Sequence, residues 1–393
     1  MKTKIELRYG LCYHYVVNYI LVLQILERGD KLLTLKETIP LHPSSSLEQL
    51  AKLEDLLFFD IETTGFQAEI SSVYLIGCIY FENHCFQRIQ WFADNYHSEE
   101  ELLHAFFSLM KKHKTLVHFN GNRFDIPYLM KKCAQFHLPY HFEDCQSIDL
   151  YKRMKPYKKL FNLPNYKQKT LEEFLQIKRT DPYTGGELIK VYGDYIKAKV
   201  GYHDTNPFLK PLLLHNKEDL EGMLRLTNIL YYIDVFEKPL TIEWFHLNGM
   251  SLEAIFTLPA TLPTPVSFQK DCYQLSLKED RVFLSIQCRQ GELKYFYPNH
   301  QDYYYLPEED MAIHKSVAAF VDKEFRKKAT KTNCYLRRTG TFIPIYKTMD
   351  GFTIFKEEYT SPQQYIELNE ELSSDSRLLT DFLQQQMKEL INT

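Results

Sequence analysis

No two of the eight cysteines, at positions 12, 78, 85, 133, 145, 272, 288 and 334, form a C-x-x-C pair or stand at zinc-ligand spacing. That absence excludes a zinc ribbon and argues against a disulfide framework; scattered thiols suit a reducing, cytoplasmic setting. Nor is there an excess of positive charge, since Lys+Arg 47 against Asp+Glu 51 leaves a formal charge of -4. Any contact with nucleic acid must therefore come from local patches and not from the field of the whole molecule. A membrane-length apolar run is also missing. Leu11 to Leu26 comes nearest, but His14, Asn18 and Gln24 interrupt it, and no small-residue cleavage site follows. It reads as an extra helix or a leader, and no membrane partner is expected. With no internal repeat and no low-complexity tract, 393 residues imply two globular units plus that leader. Aromatic residues are plentiful, with 28 Tyr and 27 Phe, which leaves some rings for stacking surfaces beyond those the core needs.

The stretch around which the chain is organised is Leu57-Phe58-Phe59-Asp60-Ile61-Glu62-Thr63-Thr64-Gly65. Its apolar and aromatic run reads as a buried strand, and side chains alternate faces with period two, so Asp60 and Glu62 leave on the same side. Two carboxylates on one face of an apolar strand repel each other unless a cation lies between them. Thr63-Thr64-Gly65 then breaks the strand with residues able to turn sharply and to present backbone N–H groups.

The remaining elements set the expected architecture. Pro40 to Ser46 is a loop of breakers, and the organised domain begins near Leu47. Val73 to Phe81 and Cys85 to Phe92, joined by Glu82-Asn83-His84, predict a hairpin, so the first three strands form an antiparallel meander. Ser98-x-x-Glu101 and Thr170-x-x-Glu173 read as capping boxes that open helices. A short strand over Thr115 to Phe119, a helix over Arg123 to Phe136 and a last helix from Leu212 to about Phe236 complete a mixed sheet flanked by helices. Prolines 259, 263 and 265 mark 239–266 as a linker. Beyond it, strands at Tyr273 to Leu277, Val282 to Arg289 and Leu293 to Tyr297 predict a smaller α+β unit over 267–393. A basic helix at Asp310 to Ala329 and a closing helix at Asp375 to Ile391 complete that unit.

Carboxylates recur at the ends of these elements: Asp60 and Glu62 after the strand, Asp125 at the start of a helix, and Asp219 on the last helix with His215 four residues before it. Four acids with no nearby cysteine form a hard oxygen site that suits Mg²⁺ or Mn²⁺ and disfavours zinc. A pair of such ions serves in-line displacement at phosphorus, which points to phosphodiester hydrolysis.

The stretches Phe59-Asp60-Ile61-Glu62-Thr63-Thr64-Gly65, His118-Phe119-Asn120-Gly121-x-x-Phe124-Asp125 and His215-Asn216-x-x-Asp219 resemble the three exonuclease motifs of the DEDD superfamily, over roughly residues 54 to 236. The resemblance is greatest to a bacterial group of ribonuclease H-like exonucleases. It implies a ribonuclease H-like α/β fold with a five-stranded mixed sheet over 47–238, and 3′-to-5′ exonuclease activity on single-stranded DNA or RNA. By the same resemblance Asp60, Glu62, Asp125 and Asp219 would hold two Mg²⁺ or Mn²⁺ ions, with His215 as general base. Thr63, Thr64, Gly65 and Phe66 would hold the terminal 3′ nucleotide and Asn120 would position its neighbour. His215 occupies the spacing at which the superfamily's tyrosine branch places its tyrosine. Outside these motifs, Lys169 reads either as a phosphate contact or as a solvated lysine, and Asp149 either as support for the site or as a helix cap. The run Lys323 to Arg338 and Tyr303-Tyr304-Tyr305 are further possible contacts for nucleic acid. The alternatives are a nucleic-acid-binding module of the same fold with little turnover, and an endonuclease acting on RNA in a hybrid.

Overall fold

The computed structural model describes residues 25–28 and 32–392; all but the last two residues of the stretch Leu11 to Leu26 lie outside them. Strands β1 (Ile25–Arg28) and β2 (Leu32–Ile39) lead into a helical turn, α1 (Ser45–Glu48). The antiparallel meander follows as expected: β3 (Leu56–Thr63), β4 (Val73–Glu82) and β5 (Cys85–Ala93). Helix α2 (Glu99–Met110), β6 (Thr115–His118), α3 (Asp125–Gln135) and β7 (Gln146–Asp149) then add two parallel strands beside β3. The sheet has seven strands in the order β1-β2-β5-β4-β3-β6-β7, which is the expected five plus two at one edge. The leader therefore ends in sheet. The alternating residues Leu33, Leu35 and Glu37 line up with Phe92, Gln90 and Arg88 of β5, and Arg88 is buried between Glu37 and Glu221.

Short helices α4 (Leu150–Met154) and α5 (Lys158–Phe161) lead to α6 (Gln168–Phe174), α7 (Gly185–Val200), α8 (Asn206–Leu226) and α9 (Leu230–Glu237). Two capping readings fail. Ser98 stands at the N-cap of α2 but makes no capping bond, and Thr170 lies inside α6 with its hydroxyl on Asn165. A capping box does form at Thr184 and Glu187, opening α7.

Period two divides the residues of β3 between the two faces of the sheet. Leu57, Phe59 and Ile61 pack with Leu102, Phe106 and Leu129 of α2 and α3, whereas Phe58 joins Leu220, Met223 and Leu224 of α8. Helix α8 approaches closely because Gly77, opposite Asp60, has no side chain. A methyl group there would meet Asn216 Oδ1 at 2.0 Å and Leu220 Cδ1 at 2.5 Å. Gly77→Ala is expected to cost at least about 1–3 kcal/mol, read from chemical denaturation, and to depress activity by displacing the helix that carries His215 and Asp219. Wild-type stability in that variant would refute the close packing.

The stretch expected to be a linker is instead structured. Gly249-Met250, with Gly249 at φ +61, turns the hairpin β8 (Thr241–Asn248) and β9 (Ser251–Thr257). These join β10 (Val266–Lys270), β11 (Tyr273–Lys278) and β12 (Arg281–Gln287) in a five-stranded sheet. Its apolar face, including Phe256, Leu275 and Leu284, belongs to the same core as Phe58 and Leu220. β13 (Arg289–Phe296), β14 (Tyr303–Leu306), β15 (Met311–His314), α10 (Lys315–Ala318), β16 (Lys327–Lys328), β17 (Tyr335–Ile345) and β18 (Gln364–Glu367) follow. The long basic helix expected at Asp310 to Ala329 is thus replaced by strand pairing and two single helical turns, at Lys315–Ala318 and Lys323–Phe325, because Met311–His314 pairs with Tyr303–Leu306. After α11 (Glu370–Ser374), the closing helix is found as α12 (Ser376–Asn392). Gln384 on α12 donates to the carbonyls of Val235 and Lys238, tying the C-terminal region to α9. Among the described residues no helix is long and apolar enough to cross a membrane.

Candidate active site

Asp60 and Glu62 project from β3 toward α8. A bulge between Glu62 and Thr63 ends the pairing with β4, and the following turn is tied by short-range bonds. The Thr63 hydroxyl donates to the carbonyl of Gly65 at 2.8 Å, and Thr64 Oγ1 accepts from the Ser72 N–H at 2.9 Å. Phe66 stands 81% exposed beyond the turn, its ring 6.3 Å from that of Phe124.

Asp125 is set by the loop after β6. Asn120 adopts the left-handed conformation at φ 61, and Asp149 at the end of β7 accepts from the N–H groups of Asn120 (2.9 Å) and Asn122 (3.4 Å). Asp149 also accepts from the Lys152 N–H at 3.1 Å, so it both caps α4 and holds the loop that aims Asp125. Burial raises the Asp125 carboxyl to about 7; backbone N–H groups of Asp125 and Ile61 oppose that rise, and the charges of Asp149 and Asp219 add to it.

His215 and Asp219 lie one turn apart on α8 and share a face. Glu62, His215 and Asp219 offer ligand atoms all within 4.8 Å of one another. His215 Nε2 is 3.2 Å from Asp219 Oδ2 and 3.8 Å from Glu62 Oε1, while Nδ1 lies 2.6 Å from Asp181 Oδ2. Asp60 lies beside this trio, its carboxylate accepting from Asn216 Nδ2 at 2.9 Å, and Asn216 in turn accepts from Gln90 at 2.9 Å.

Sequence reasoning passed over the segment 179–181. Arg179 Nη1 sits 2.6 Å from Asp219 Oδ1 and 3.0 Å from Glu172 Oε2, with Nη2 3.5 Å from Asp181. Lys169, read as a phosphate contact, is committed elsewhere: its ammonium lies 3.1 Å from Asp181 Oδ2 and also donates to the carbonyl of Tyr183. The only cue in the sequence was charge, Arg and Asp on a proline-containing loop between two helices.

The electrostatics fit divalent cations. The Asp60 carboxyl is pushed well above its ordinary range, first by burial and then by Asp219, Glu62 and Asp125. Glu62 is raised likewise by burial, Asp219, Asp125 and Asp181, with Arg179 opposing. One guanidinium does not balance these acids, and hard oxygen donors at such spacing suit Mg²⁺ or Mn²⁺.

Beside the carboxylates an open cleft of about 520 Å³ runs from Asp60 and Asp125 past Asn120. Arg123, Lys158 and Lys167 line it together with the rings of Phe119, Phe124, Tyr151 and Tyr166. The Lys158 ammonium lies 4.9 Å from the centre of the Tyr151 ring and 4.5 Å from that of Tyr166. The basic run farther along is partly spent internally. Arg326 stacks over Tyr304, Arg337 faces Glu292 and Asp310, and Arg338 pairs with Glu367. Tyr303 is stacked on Tyr297 at 4.2 Å, and Tyr305 donates to Asp310.

Residues 57–231 match the family model described as the RNase_H superfamily. No curated protein matches the chain in sequence. Among solved structures it is similar to exonuclease I, at 15% identity and TM-score 0.28 over 57% of this chain and 55% of the other. E. coli exonuclease I in complex with a dA16 oligonucleotide gives 16% and 0.26, over 52% of this chain and 55% of the other. A family B DNA polymerase from Pyrobaculum calidifontis gives 11% and 0.36, over 86% of this chain and 46% of the polymerase. The chain thus spans about half the length of the exonuclease I structures it matches.

Proposed function

Because residues 57–231 match the RNase H superfamily model, we propose that the chain is a metal-dependent 3′-to-5′ exonuclease acting on single-stranded DNA or RNA. The observation that carries this reading is the meeting of Glu62, His215 and Asp219 within 4.8 Å, with the buried Asp60 and Asp125 beside them, both raised by burial and by the charge of Asp219. Asp60, Glu62, Asp125 and Asp219 would hold Mg²⁺ or Mn²⁺, which when bound stabilises the charge on the attacking and leaving oxygens.

His215 Nε2 faces the space between Glu62 and Asp219 and takes the proton of the attacking water. The water oxygen bonds to phosphorus, the bond to the 3′ oxygen of the shortened strand breaks, and that oxygen takes a proton from solvent while His215 returns its own to solvent. Terminus recognition falls to the turn Thr63 to Phe66, whose exposed ring is free to stack on a last base, with Asn120 at the adjoining nucleotide. The cleft's rings suit unstacked bases and its cations suit the phosphates between them. The protein should shorten 3′-labelled single strands in Mg²⁺ or Mn²⁺ and spare circular ones. Intact linear DNA and RNA under every divalent metal, or cutting of the circle, would refute it.

A second reading, binding with little turnover, is favoured by one observation: Arg179 already occupies Asp219 Oδ1. Both readings place the strand in the cleft. Lys158→Ser should therefore weaken binding and lessen the slope of log affinity against log salt by about 0.7, the value for one phosphate contact on a single strand. An unchanged slope, by fluorescence anisotropy across a salt series, would remove Lys158 from the interface.

A further inference from the structure

Building on His215 as the base, we infer that Asp181 is the residue that orients it and fixes which ring nitrogen carries the proton. Both side chains are buried, Asp181 7% and His215 5% exposed. With Asp181 ionised, its Oδ2 can only accept, so the 2.6 Å contact requires the hydrogen on His215 Nδ1. Nε2 of the neutral ring is then a lone pair, and it is the nitrogen that faces Asp219 at 3.2 Å and Glu62 at 3.8 Å. A base must present an acceptor to the water it deprotonates, and the opposite tautomer would present a hydrogen.

The surroundings keep Asp181 charged and fixed. Oδ1 accepts from the Tyr183 N–H at 3.1 Å, and Lys169 lies 3.1 Å from Oδ2. Its loop is bolted to α8 by Glu218, the neighbour of Asp219, which accepts from the N–H groups of Thr180 and Asp181 and from the Thr180 hydroxyl at 2.6 to 3.0 Å. The helix that carries His215 therefore also places the group that aligns it. Asp181 does not touch the reacting atoms and is a positioning residue.

The test is a double-mutant cycle of Asp181→Asn and His215→Ala, read as kcat, KM and Mn²⁺ affinity on a labelled single strand. Asp181→Asn should lower kcat roughly 10- to 100-fold, with KM and Mn²⁺ affinity little changed, and Asp181→Glu should restore part of it. In the His215→Ala background the same change should cost nothing more. Wild-type kcat in Asp181→Asn, or an undiminished loss in the His215→Ala background, overturns the inference while leaving the base in place. A fully active His215→Ala instead overturns the base itself. Should Asp181→Asn not fold, ¹⁵N shifts of the His215 ring in the wild-type protein decide: in the neutral ring the proton is expected on Nδ1, and a neutral ring protonated on Nε2 contradicts.

Discussion

Asp60→Asn is expected to lower the rate of strand shortening by at least ~10³-fold, the effect of losing several kcal/mol of charge stabilisation at the reacting phosphate. The same change should make the metal-free protein more stable, by roughly 1 kcal/mol. Burial first, and then the charges of Asp219, Glu62 and Asp125, are why the Asp60 carboxyl resists ionisation. The amide keeps the shape, and its oxygen can still accept from Asn216 Nδ2. Activity and metal-free stability therefore move in opposite directions, as they do where a site is built for a ligand and not for the fold. Single-turnover rates in Mg²⁺ or Mn²⁺ and denaturant midpoints in metal-free buffer check the two halves. A variant that is less stable as well as inactive would mean that Asp60 supports the fold and not a cation.

The second large effect is the response to pH and metal together. Burial and the neighbouring acids lift Asp125 to about 7 in the folded protein, against an ordinary 3.8. A carboxyl whose folded pKa is raised binds more protons folded than unfolded across that window, so metal-free stability falls as pH rises from about 4 to about 7. The loss is on the order of a few kcal/mol. A divalent cation favours the ionised forms and reverses the trend, because it binds the folded state alone. Mg²⁺ or Mn²⁺ should therefore raise Tm far more at pH 8 than at pH 5, where protons hold the same oxygens. An equal shift at both pH values, by scanning calorimetry in chelator and in metal, would separate the acids from any ion.

Much of this was readable before the structure because local rules sufficed. Period two in β3 put Asp60 and Glu62 on one face, and the hairpin of β4 and β5 was marked by two β-rich runs and a three-residue turn. What local rules missed was set by distant partners. Arg179 and Asp181 acquire their meaning from Asp219 and His215, 40 and 34 residues away, and no periodicity marks them. The hairpin at Gly249-Met250 did carry a local signal, a glycine opening a two-residue turn between alternating strands, but the three prolines after it drew the reading toward a linker. β2 was missed for another reason. Its residues are mostly half-buried next to the edge strand β1, so its pattern is weak until β5 lies beside it.

The central claim is that acids from β3, α3 and α8 share divalent cations, and Mn²⁺ diffused into crystals tests it most directly. Anomalous scattering should reveal manganese within coordination distance of Asp60, Glu62, Asp125 and Asp219, with Asp219 drawn away from Arg179. Crystals that take up no manganese there, and keep Asp219 on the guanidinium, would contradict it.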